Sequence, residues 1–366
     1  MDIRLLKHAA VGIKDPRRQY GYLRHLMVDM IIIGLLTTLC GGKDFNDMEV
    51  FGKERLEWLK TFLELPYGIP DSDTFRRLFE RLDPDTLQQC LNEWLLAQQK
   101  LNNGDIVNID GKTIRGSSND AHKAYHVVSA WAAENKITLG QTKVQKKSNE
   151  ITAIPNLLDM INIEGCIITI DAMGCQKGIT EKITENNADY VIALKGNQKT
   201  MYEEVKLNFD DFSELAQNTE TYDTGHGRKE TREYFLEPNI DFITQNFDWI
   251  NLNAVGMVRT TVEIKNEIRT EERYYITSVT DVNEFALAVR GHWSIENQLH
   301  WNLDVIFRED SARAKKDNSP LNMNILRKTA LSVLNRVKFH RMTKPKMMFK
   351  AALNTSFLER LVFRGK

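Results

Sequence analysis

The chain has 366 residues, a formal net charge of −1, and the hydrophobic and charged content of an ordinary globular protein, 42% and 27%. That length predicts two or three units that can each bury a core, and the composition excludes an extensively disordered or low-complexity chain. The four cysteines, Cys40, Cys90, Cys166 and Cys175, form no C-x-x-C pair, which excludes a zinc ribbon and a disulfide framework.

Residues 1–100 are predicted to form an all-helical N-terminal domain, because residues 23–39, 51–63 and 74–95 have the apolar spacing of helices. The apolar run 27–40 contains Asp29 and is shorter than the roughly 20 residues that a membrane-spanning helix needs, so it predicts a buried helix and no membrane partner. No signal-peptide pattern precedes it, and we expect a cytoplasmic protein.

A loop and helix cap at residues 68–77 is the candidate for DNA contact in this domain. Ser72 or Asp73 is expected to accept hydrogen bonds from the amides of the first turn, and Arg76 and Arg77 follow. Two interpretations stay open: a DNA-binding unit that resembles a helix-turn-helix, and a helical bundle without a specific DNA-binding role.

From residue 104 the pattern changes from helical spacing to strands. Strands are predicted at 105–109, 125–133, 136–144, 166–170 and 190–194, and helices at 148–161, 177–187 and 200–212. A hairpin turn is expected at 134–135, and Pro155 is expected near the first turn of its helix. The order βββαβαβα predicts a ribonuclease-H-like α/β core with a mixed sheet and flanking helices, beginning with residues 104–220.

Short charged strands at 230–236, 254–264 and 273–279 predict a β-rich insertion, residues 221–280. Residues 281–312 are expected to supply the last core helix, from about 283 to 307. Residues 313–366 contain 14 Lys and Arg against two acidic residues, and they predict a basic helical tail. Such a tail on an otherwise acidic chain fits contact with a polyanion, through Lys344, Lys346 and Lys350, although a solvated helix face is the alternative.

Two predicted strands end in an aspartate, Asp110 and Asp171. Residues at the carboxyl ends of strands face the crevice of an open α/β sheet, where a carboxylate can hold Mg²⁺ beside a phosphate. Two such carboxylates suit two-metal phosphoryl transfer, which needs ligands shared between the ions. For each aspartate alone, a cap on a tight turn is the alternative.

On the last core helix, His292, Glu296 and His300 recur every four residues and are expected to share a face. Glu296 is thereby placed to face the same crevice. A zinc site is a weaker interpretation, because this stack lacks a fourth ligand and an open position. A purely structural stripe is the other alternative.

Five segments carry a resemblance to a known family. They are residues 108–116 (NIDGKTIRG), 147–155 (KSNEITAIP), 170–176 (IDAMGCQ), 193–198 (ALKGNQ) and 292–305 (HWSIENQLHWNLDV). In this order they resemble the H-repeat-associated group of insertion-sequence DDE transposases. Residues 15–17 and 68–74 extend the similarity over nearly the whole chain.

The resemblance implies a ribonuclease-H-like catalytic domain, two Mg²⁺ or Mn²⁺ ions as cofactors, and Asp110, Asp171 and Glu296 as the catalytic, metal-binding carboxylates. Related transposases often have Tyr, Arg and Lys around the glutamate, whereas this chain has Val289, His292 and Leu303. Phosphate contacts of that motif therefore cannot be transferred, and nearby residues are only substitutes by proximity.

Further residues are predicted to contact DNA because they flank the expected active site. They are Lys112, Arg115, Lys195, Asn197, Gln198, His226, Arg228, Lys229, Arg290, His292 and His300. The alternatives are local: Lys112 and Arg115 would offset the charge of Asp110, residues 195–198 would form a strand-to-helix turn, and residues 224–229 would form a surface hairpin.

The function expected from these observations is metal-dependent DNA cleavage and strand transfer at insertion-sequence ends. The expected partners are double-stranded DNA, as the terminal repeats of the element and as target, and a second copy of the chain on DNA. Such a protein would associate with the nucleoid. A catalytically silent DNA-binding remnant and a nuclease without strand transfer are the alternative functions.

Overall fold

The computed structural model describes residues 2–10, 12–17, 23–97, 101–119, 123–145, 149–212, 216–225, 227–265, 267–337 and 339–363. The described part of the first hundred residues is helical, as predicted. Its helices, α1 to α6, are Arg4–Ala10, Met27–Leu39, Phe45–Glu54, Leu56–Leu59, Ser72–Arg81 and Pro84–Leu96.

Helix α2 is the buried helix predicted from the apolar run. Asp29 lies inside it at 2% exposure and accepts a hydrogen bond from the Leu65 amide at 2.9 Å, which satisfies the buried carboxylate. No helix among the described residues has the length and apolar character needed to cross a membrane.

Aspartates at their N-termini set where α3, α5 and α6 begin. Asp44, Asp71 and Asp83 each accept from amides of the first turn. The predicted cap at Ser72 or Asp73 is wrong by one or two residues, since Asp71 is the cap and Ser72 is already helical. The predicted helical stretch 74–95 is divided, because Asp83 caps α6 and Pro84 occupies its first position.

The predicted order βββαβαβα is confirmed. It consists of β1 (Ile106–Ile114), β2 (Tyr125–Ala132), β3 (Ile137–Lys143), α7 (Glu150–Asp159), β4 (Ile167–Ile170), α8 (Lys177–Glu185), β5 (Asp189–Leu194) and α9 (Lys199–Phe212). Strands β1, β4 and β5 run parallel, and β2 and β3 pair antiparallel beside β1.

Helix α7 differs in detail from its prediction. The start predicted at Ser148 lies outside the described residues, and Asn149 is the cap. Pro155 lies inside the helix and not near its first turn. The helix buries Ala153, Ile154, Leu157 and Leu158 against the sheet.

Four more strands extend the same sheet: β6 (Gln217–Gly225), β7 (Arg228–Glu237), β8 (Ala254–Ile264) and β9 (Glu267–Thr277), with the short helix α10 (Asp241–Thr244) between β7 and β8. Within the described part of the chain, the sheet has nine strands in the order β3-β2-β1-β4-β5-β9-β8-β7-β6. Strand β9 pairs with β5, so the predicted insertion is continuous with the core sheet. The mixed sheet with flanking helices confirms the predicted ribonuclease-H-like α/β class.

The last core helix has three parts: α11 (Val282–Ser294), a π-helical segment (Ile295–His300) and α12 (Trp301–Val305). A continuous α-helix over 283–307 was predicted. The π segment changes the direction of the side chains after Ser294, because each π turn contains one more residue than an α turn.

The chain ends in α13 (Ser319–Arg336), α14 (Lys344–Leu353) and α15 (Thr355–Val362). The interpretation of these residues as a tail is wrong for α13, whose residues 319–334 are all buried. Its cations are buried too: Arg327 lies 3.6 Å from Glu309, and Lys328 donates to Ser129 Oγ at 2.7 Å and to Gln141. Helix α13 therefore joins the helical body, made of α1–α6 and α12–α15, to the sheet.

Candidate active site

Asp110 and Asp171 lie side by side at the carboxyl end of two parallel strands. The pairing of β1 with β4 ends at Ile109 and Ile170, and each aspartate is the next residue. Strand β1 does not end there as predicted, because it continues to Ile114 along β2 alone. Asp110 therefore stands where β1 separates from β4, and Asp171 caps the turn that follows β4.

Glu296 is the second residue of the π segment and is exposed. It lines a cavity of about 560 Å³ together with Asp171, Lys195, His292 and Trp293. Helix α11 packs on β1 and β4, so it brings the π segment to the same end of the sheet as the two aspartates. The apolar spacing of this segment does not indicate the π geometry, which is frequent at functional sites.

The electrostatics of the site show that the carboxylates act on one another. The pKa of Asp110 is raised to about 7, chiefly by burial and further by the charges of Asp171, Glu150 and Glu296. Burial and Glu150 also raise the pKa of Asp171, while Lys195 lowers it. The site thus holds negative charge that its own cations do not balance.

Glu150 is a fourth carboxylate here, and it was not among the predicted site residues. Its Oε1 lies 2.5 Å from His126 Nε2, and Thr113 Oγ1 lies 2.9 Å from the other ring nitrogen. A Cβ on Gly111 would overlap both Glu150 Oε1 and His126 Nε2, so only glycine leaves room for this pair beside Asp110. Glu150 lies in the segment KSNEITAIP, which is one of those that resemble the transposase family. Its contact with His126 could not be predicted, because the two residues are 24 positions apart in the sequence.

The donor set suits a hard divalent cation. Carboxylate oxygens are the ligands that Mg²⁺ prefers, and a bound cation would offset the charges of Asp171, Glu150 and Glu296, which add to the effect of burial in raising the pKa of Asp110. Among the described residues, no three or more His, Cys, Asp or Glu side chains already stand at the spacing of a metal site. The carboxylates are therefore close enough to influence one another electrostatically, but they are not arranged as a preformed metal site.

Two predicted DNA contacts, His300 and Lys112, have carboxylate partners within the protein. His300 is largely buried, with its Nδ1 3.4 Å from Asp110 Oδ2, and burial lowers its pKa to about 3. Lys112 binds both oxygens of Asp304 at 2.6 and 2.7 Å, so its partner is Asp304 and not Asp110. Both positions favour supporting roles within the protein.

The loop after β5 contains one exposed cation and two amides. Lys195 is exposed and lines the cavity beside Asp171. Asn197 donates to Ala172 O at 2.7 Å and Gln198 donates to Cys175 O at 3.0 Å. These amides hold the turn that follows Asp171, whereas the side chain of Lys195 is exposed at the cavity.

The remaining predicted contacts are spread over the surface. Arg115 lies 3.9 Å from Asp310, and Arg290 lies 2.5 Å from Asp223. At the β6–β7 hairpin, Arg228 pairs with Glu230 and Lys229 lies 3.1 Å from Glu263. His226 lies outside the described residues.

Three predicted contacts lie on or near α14. Lys346 and Lys350 are exposed, and the ammonium of Lys350 lies 4.9 Å from the ring centre of Phe357. Lys344 is partly buried, which lowers its pKa. Among the described residues, none of these three lysines forms an ion pair with a carboxylate.

Two protein-family models match this chain, one over the N-terminal helical residues and one over the sheet and the helices that follow. The family model described as "Transposase DDE domain" matches residues 102–333, and one described as "DDE_Tnp_1-associated" matches residues 10–95. The chain is 38% identical to "Putative transposase YncI" of Escherichia coli O157:H7, over 96% of this chain and 93% of that protein.

Two proteins of Escherichia coli strain K12 are also similar. "H repeat-associated putative transposase YhhI" is 34% identical over 97% of this chain and 96% of its own length. "Inactive transposase YbfQ" is 28% identical over 20% of this chain.

Proposed function

The chain belongs to the DDE transposase family, and from that premise we propose that it catalyses metal-dependent DNA cleavage and strand transfer at the ends of an insertion sequence. The observation that carries this proposal is the gathering of Asp110, Asp171 and Glu296 at one end of the sheet, where they share an electrostatic field. Double-stranded DNA is the substrate, as terminal repeats and as target.

Asp110, Asp171 and Glu296 would hold two Mg²⁺ or Mn²⁺ ions. Bound there, the ions supply Lewis-acid activation and stabilise charge on the oxygens of an in-line displacement. The protein itself positions the DNA: Lys195, exposed beside Asp171, attracts a phosphate near the reacting bond. Water and then a DNA 3′-hydroxyl are the nucleophiles, and no covalent enzyme intermediate is required.

Two separate surfaces are proposed to contact DNA, the surroundings of the site and α14, whose Lys344 lies near Lys136 in the turn between β2 and β3, at the opposite end of the sheet from Asp110. Arg115, Arg290, Arg228 and Lys229 would exchange their carboxylate partners for phosphates, whereas Lys346 and Lys350 are exposed and have no ion-pair partner among the described residues. Joining two ends to a target requires two active sites, which is the reason to propose a homodimer on DNA. The same affinity would keep the protein at the nucleoid.

The test is incubation of the protein with linear duplex DNA that carries candidate element ends, with Mg²⁺ or Mn²⁺. We expect nicked and joined products from the native protein and none from Asp110→Ala, Asp171→Ala or Glu296→Ala. All three variants should still bind the DNA, because the phosphate contacts remain. Glu164→Ala is the matched control, since Glu164 precedes β4 at the opposite end of the sheet.

Each other outcome selects a different function. Nicked products without joined products would indicate a nuclease. Binding without cleavage by the native protein, with every candidate end, would overturn the proposal in favour of a silent DNA-binding remnant. Cleavage by any of the three alanine variants would overturn the assignment of that carboxylate.

A further inference from the structure

Directly beneath the three carboxylates lies a second layer of polar side chains, Asn108, Thr169 and His292. Asn108 precedes Asp110 by two residues, and Thr169 precedes Asp171 by two, which is the repeat of a strand. His292 precedes Glu296 by four residues on the helix. Asn108 and Thr169 are therefore one strand repeat below Asp110 and Asp171, and His292 lines the same cavity as Glu296.

A continuous set of hydrogen bonds connects the polar layer. Asn108 Nδ2 donates to Gly291 O at 2.9 Å and to Ser294 Oγ at 2.8 Å. Thr169 Oγ1 lies 2.7 Å from Asn108 Oδ1 and 2.9 Å from His292 Nδ1. Asn108 and Thr169 are buried, at 0% and 2% exposure, so these bonds have no competition from bulk water.

The bond from Asn108 to Gly291 O determines which group donates and which accepts in each of the other hydrogen bonds of the polar layer. Gly291 O can only accept, so the amide nitrogen of Asn108 faces α11 and its Oδ1 faces Thr169. The Thr169 hydroxyl must then donate to Oδ1, which leaves it only lone pairs for His292. His292 must consequently donate from Nδ1.

This direction limits what His292 can do. Burial lowers its pKa to about 4, so the ring is neutral at pH 7. A neutral ring protonated on Nδ1 has a lone pair on Nε2 and no proton there to offer to a phosphate oxygen. The hydrogen bonds thus argue against His292 as a substitute for a phosphate-binding arginine.

We propose that Asn108, Thr169 and His292 are positioning residues that tie α11 to β1 and β4 and thereby set the separation of the three carboxylates. The proposal rests on the proposed function, since it concerns the same carboxylate site. Its physical basis is that the π segment bearing Glu296 begins directly after Ser294, so the bonds to Gly291, Ser294 and His292 fix the last α-helical turn before it.

Substitutions of Thr169 test the layer with little change of volume. Thr169→Val removes the hydroxyl and both of its bonds, whereas Thr169→Ser retains them. We expect Thr169→Val to weaken Mn²⁺ binding and cleavage by about 10-fold to 100-fold, the range found when groups that orient metal ligands are removed. Thr169→Ser should resemble the native protein. Mn²⁺ binding is measured by calorimetry without DNA, beside the melting temperature without metal.

Substitutions of His292 separate positioning from direct contact. Asparagine can place a donor where Nδ1 lies, and glutamine places its amide where Nε2 lies. We expect His292→Asn to retain Mn²⁺ binding and cleavage and His292→Gln to lose both. The reverse order would show that Nε2 acts on the substrate, and it would overturn the proposal. Native Mn²⁺ affinity in Thr169→Val would also overturn it.

The metal-free native protein provides a measurement that depends on neither variants nor activity. Long-range ¹H–¹⁵N NMR of the histidine rings, with His292 assigned from the spectrum of His292→Asn, should show Nδ1 protonated and Nε2 unprotonated. A proton on Nε2 alone would contradict the bond order from which the proposal is derived. If the native protein neither binds Mn²⁺ nor cleaves DNA, the proposed function fails, whereas the NMR result still decides the hydrogen-bond order.

Discussion

Asp110 is the residue on which the charges of the site converge. Its carboxylate is partly buried near Asp171, Glu150 and Glu296, and its pKa of about 7 is far above the ordinary value of about 3.9. The folded protein therefore binds this proton more tightly than the unfolded chain does. Between about pH 4 and pH 7 the stability that belongs to this group is lost as the pH rises.

We therefore predict that Asp110→Asn stabilises the metal-free protein at pH 8 while it abolishes cleavage. The gain is up to about 4 kcal/mol, since one pKa unit corresponds to about 1.36 kcal/mol, and it should nearly vanish at pH 4. Melting temperatures in the presence of a chelator measure it. Asp304→Asn is the control and should not stabilise, because it removes the partner of Lys112. A less stable Asp110→Asn protein at pH 8 would contradict the prediction.

Gly111 is a second residue at the site whose identity is restricted by its surroundings. Its φ is not in the left-handed region, so the requirement is space and not backbone conformation. Gly111→Ala should reduce stability by about 1–3 kcal/mol, the usual cost of overpacking, and it should lower cleavage by displacing Glu150. Gly178→Ala is the control, because nothing lies within 4 Å of the added Cβ. Thermal unfolding and cleavage assays compare the two. Native cleavage by Gly111→Ala would show that the Glu150–His126 pair is dispensable.

At the scale of elements, sequence patterns predicted the buried strands best. The apolar runs of β4 and β5 are short and continuous, and each borders a turn, so their positions follow from local chemistry. The π segment could not be predicted in this way. Leu299 and Leu303 pack into the helical body, whereas Val289 packs against the sheet. The helix therefore contributes side chains to two different hydrophobic cores. That demand arises from tertiary packing and not from local propensity.

The site was predictable to a similar extent. Asp110 and Asp171 follow from the strand pattern, but Glu150 does not, because its partner His126 is on another element. The excess of Lys and Arg in residues 313–366 predicted a basic tail, and this prediction is wrong for α13. Arg327 and Lys328 contribute to the positive balance of the last residues, yet both are buried against Glu309, Ser129 and Gln141. A sum of charges cannot distinguish a cation in solvent from one inside the protein.

Helix α14 is the element whose contribution to DNA affinity can be measured separately. Each phosphate neutralised on duplex DNA adds roughly 0.9 to the slope of log affinity against log salt. Replacing Lys344, Lys346 and Lys350 with alanine should flatten that slope by at most about 2.7, and by less if Lys344 stays partly buried. Lys182→Ala is the control, because Lys182 is paired with Asp159 at 2.5 Å. An unchanged slope in the triple variant would place the DNA elsewhere.

At the scale of the whole molecule, α13 determines whether the parts can exist separately. It contacts α2, α5, α6 and β3, and residues such as Leu326, Leu331 and Leu334 are buried between them. Each such side chain contributes about 1.5–3 kcal/mol, and the stability of a whole protein is only about 5–15 kcal/mol. The helical body and the sheet are therefore expected to depend on the same helix.

We predict that a chain ending at residue 312 lacks a cooperative thermal transition and aggregates, because the apolar surface that α13 covers becomes exposed. Circular dichroism during heating and gel filtration test this. The variant with alanine at Lys346 and Lys350 should melt like the native protein, since both side chains are exposed. A native-like transition in the shortened chain would show that α13 is not required for folding.

The late position of α13 also orders events during synthesis. Residues of β9 must leave the ribosome before the centre of the sheet can close against β5, and α13 follows roughly 60 residues later. At about 5–20 residues per second, this leaves an interval on the order of 3–12 seconds in which the nascent chain has its sheet but not the helix that joins it to the helical body. A ribosome that stalls in this interval releases a polypeptide with exposed apolar surface, which chaperones and proteases recognise.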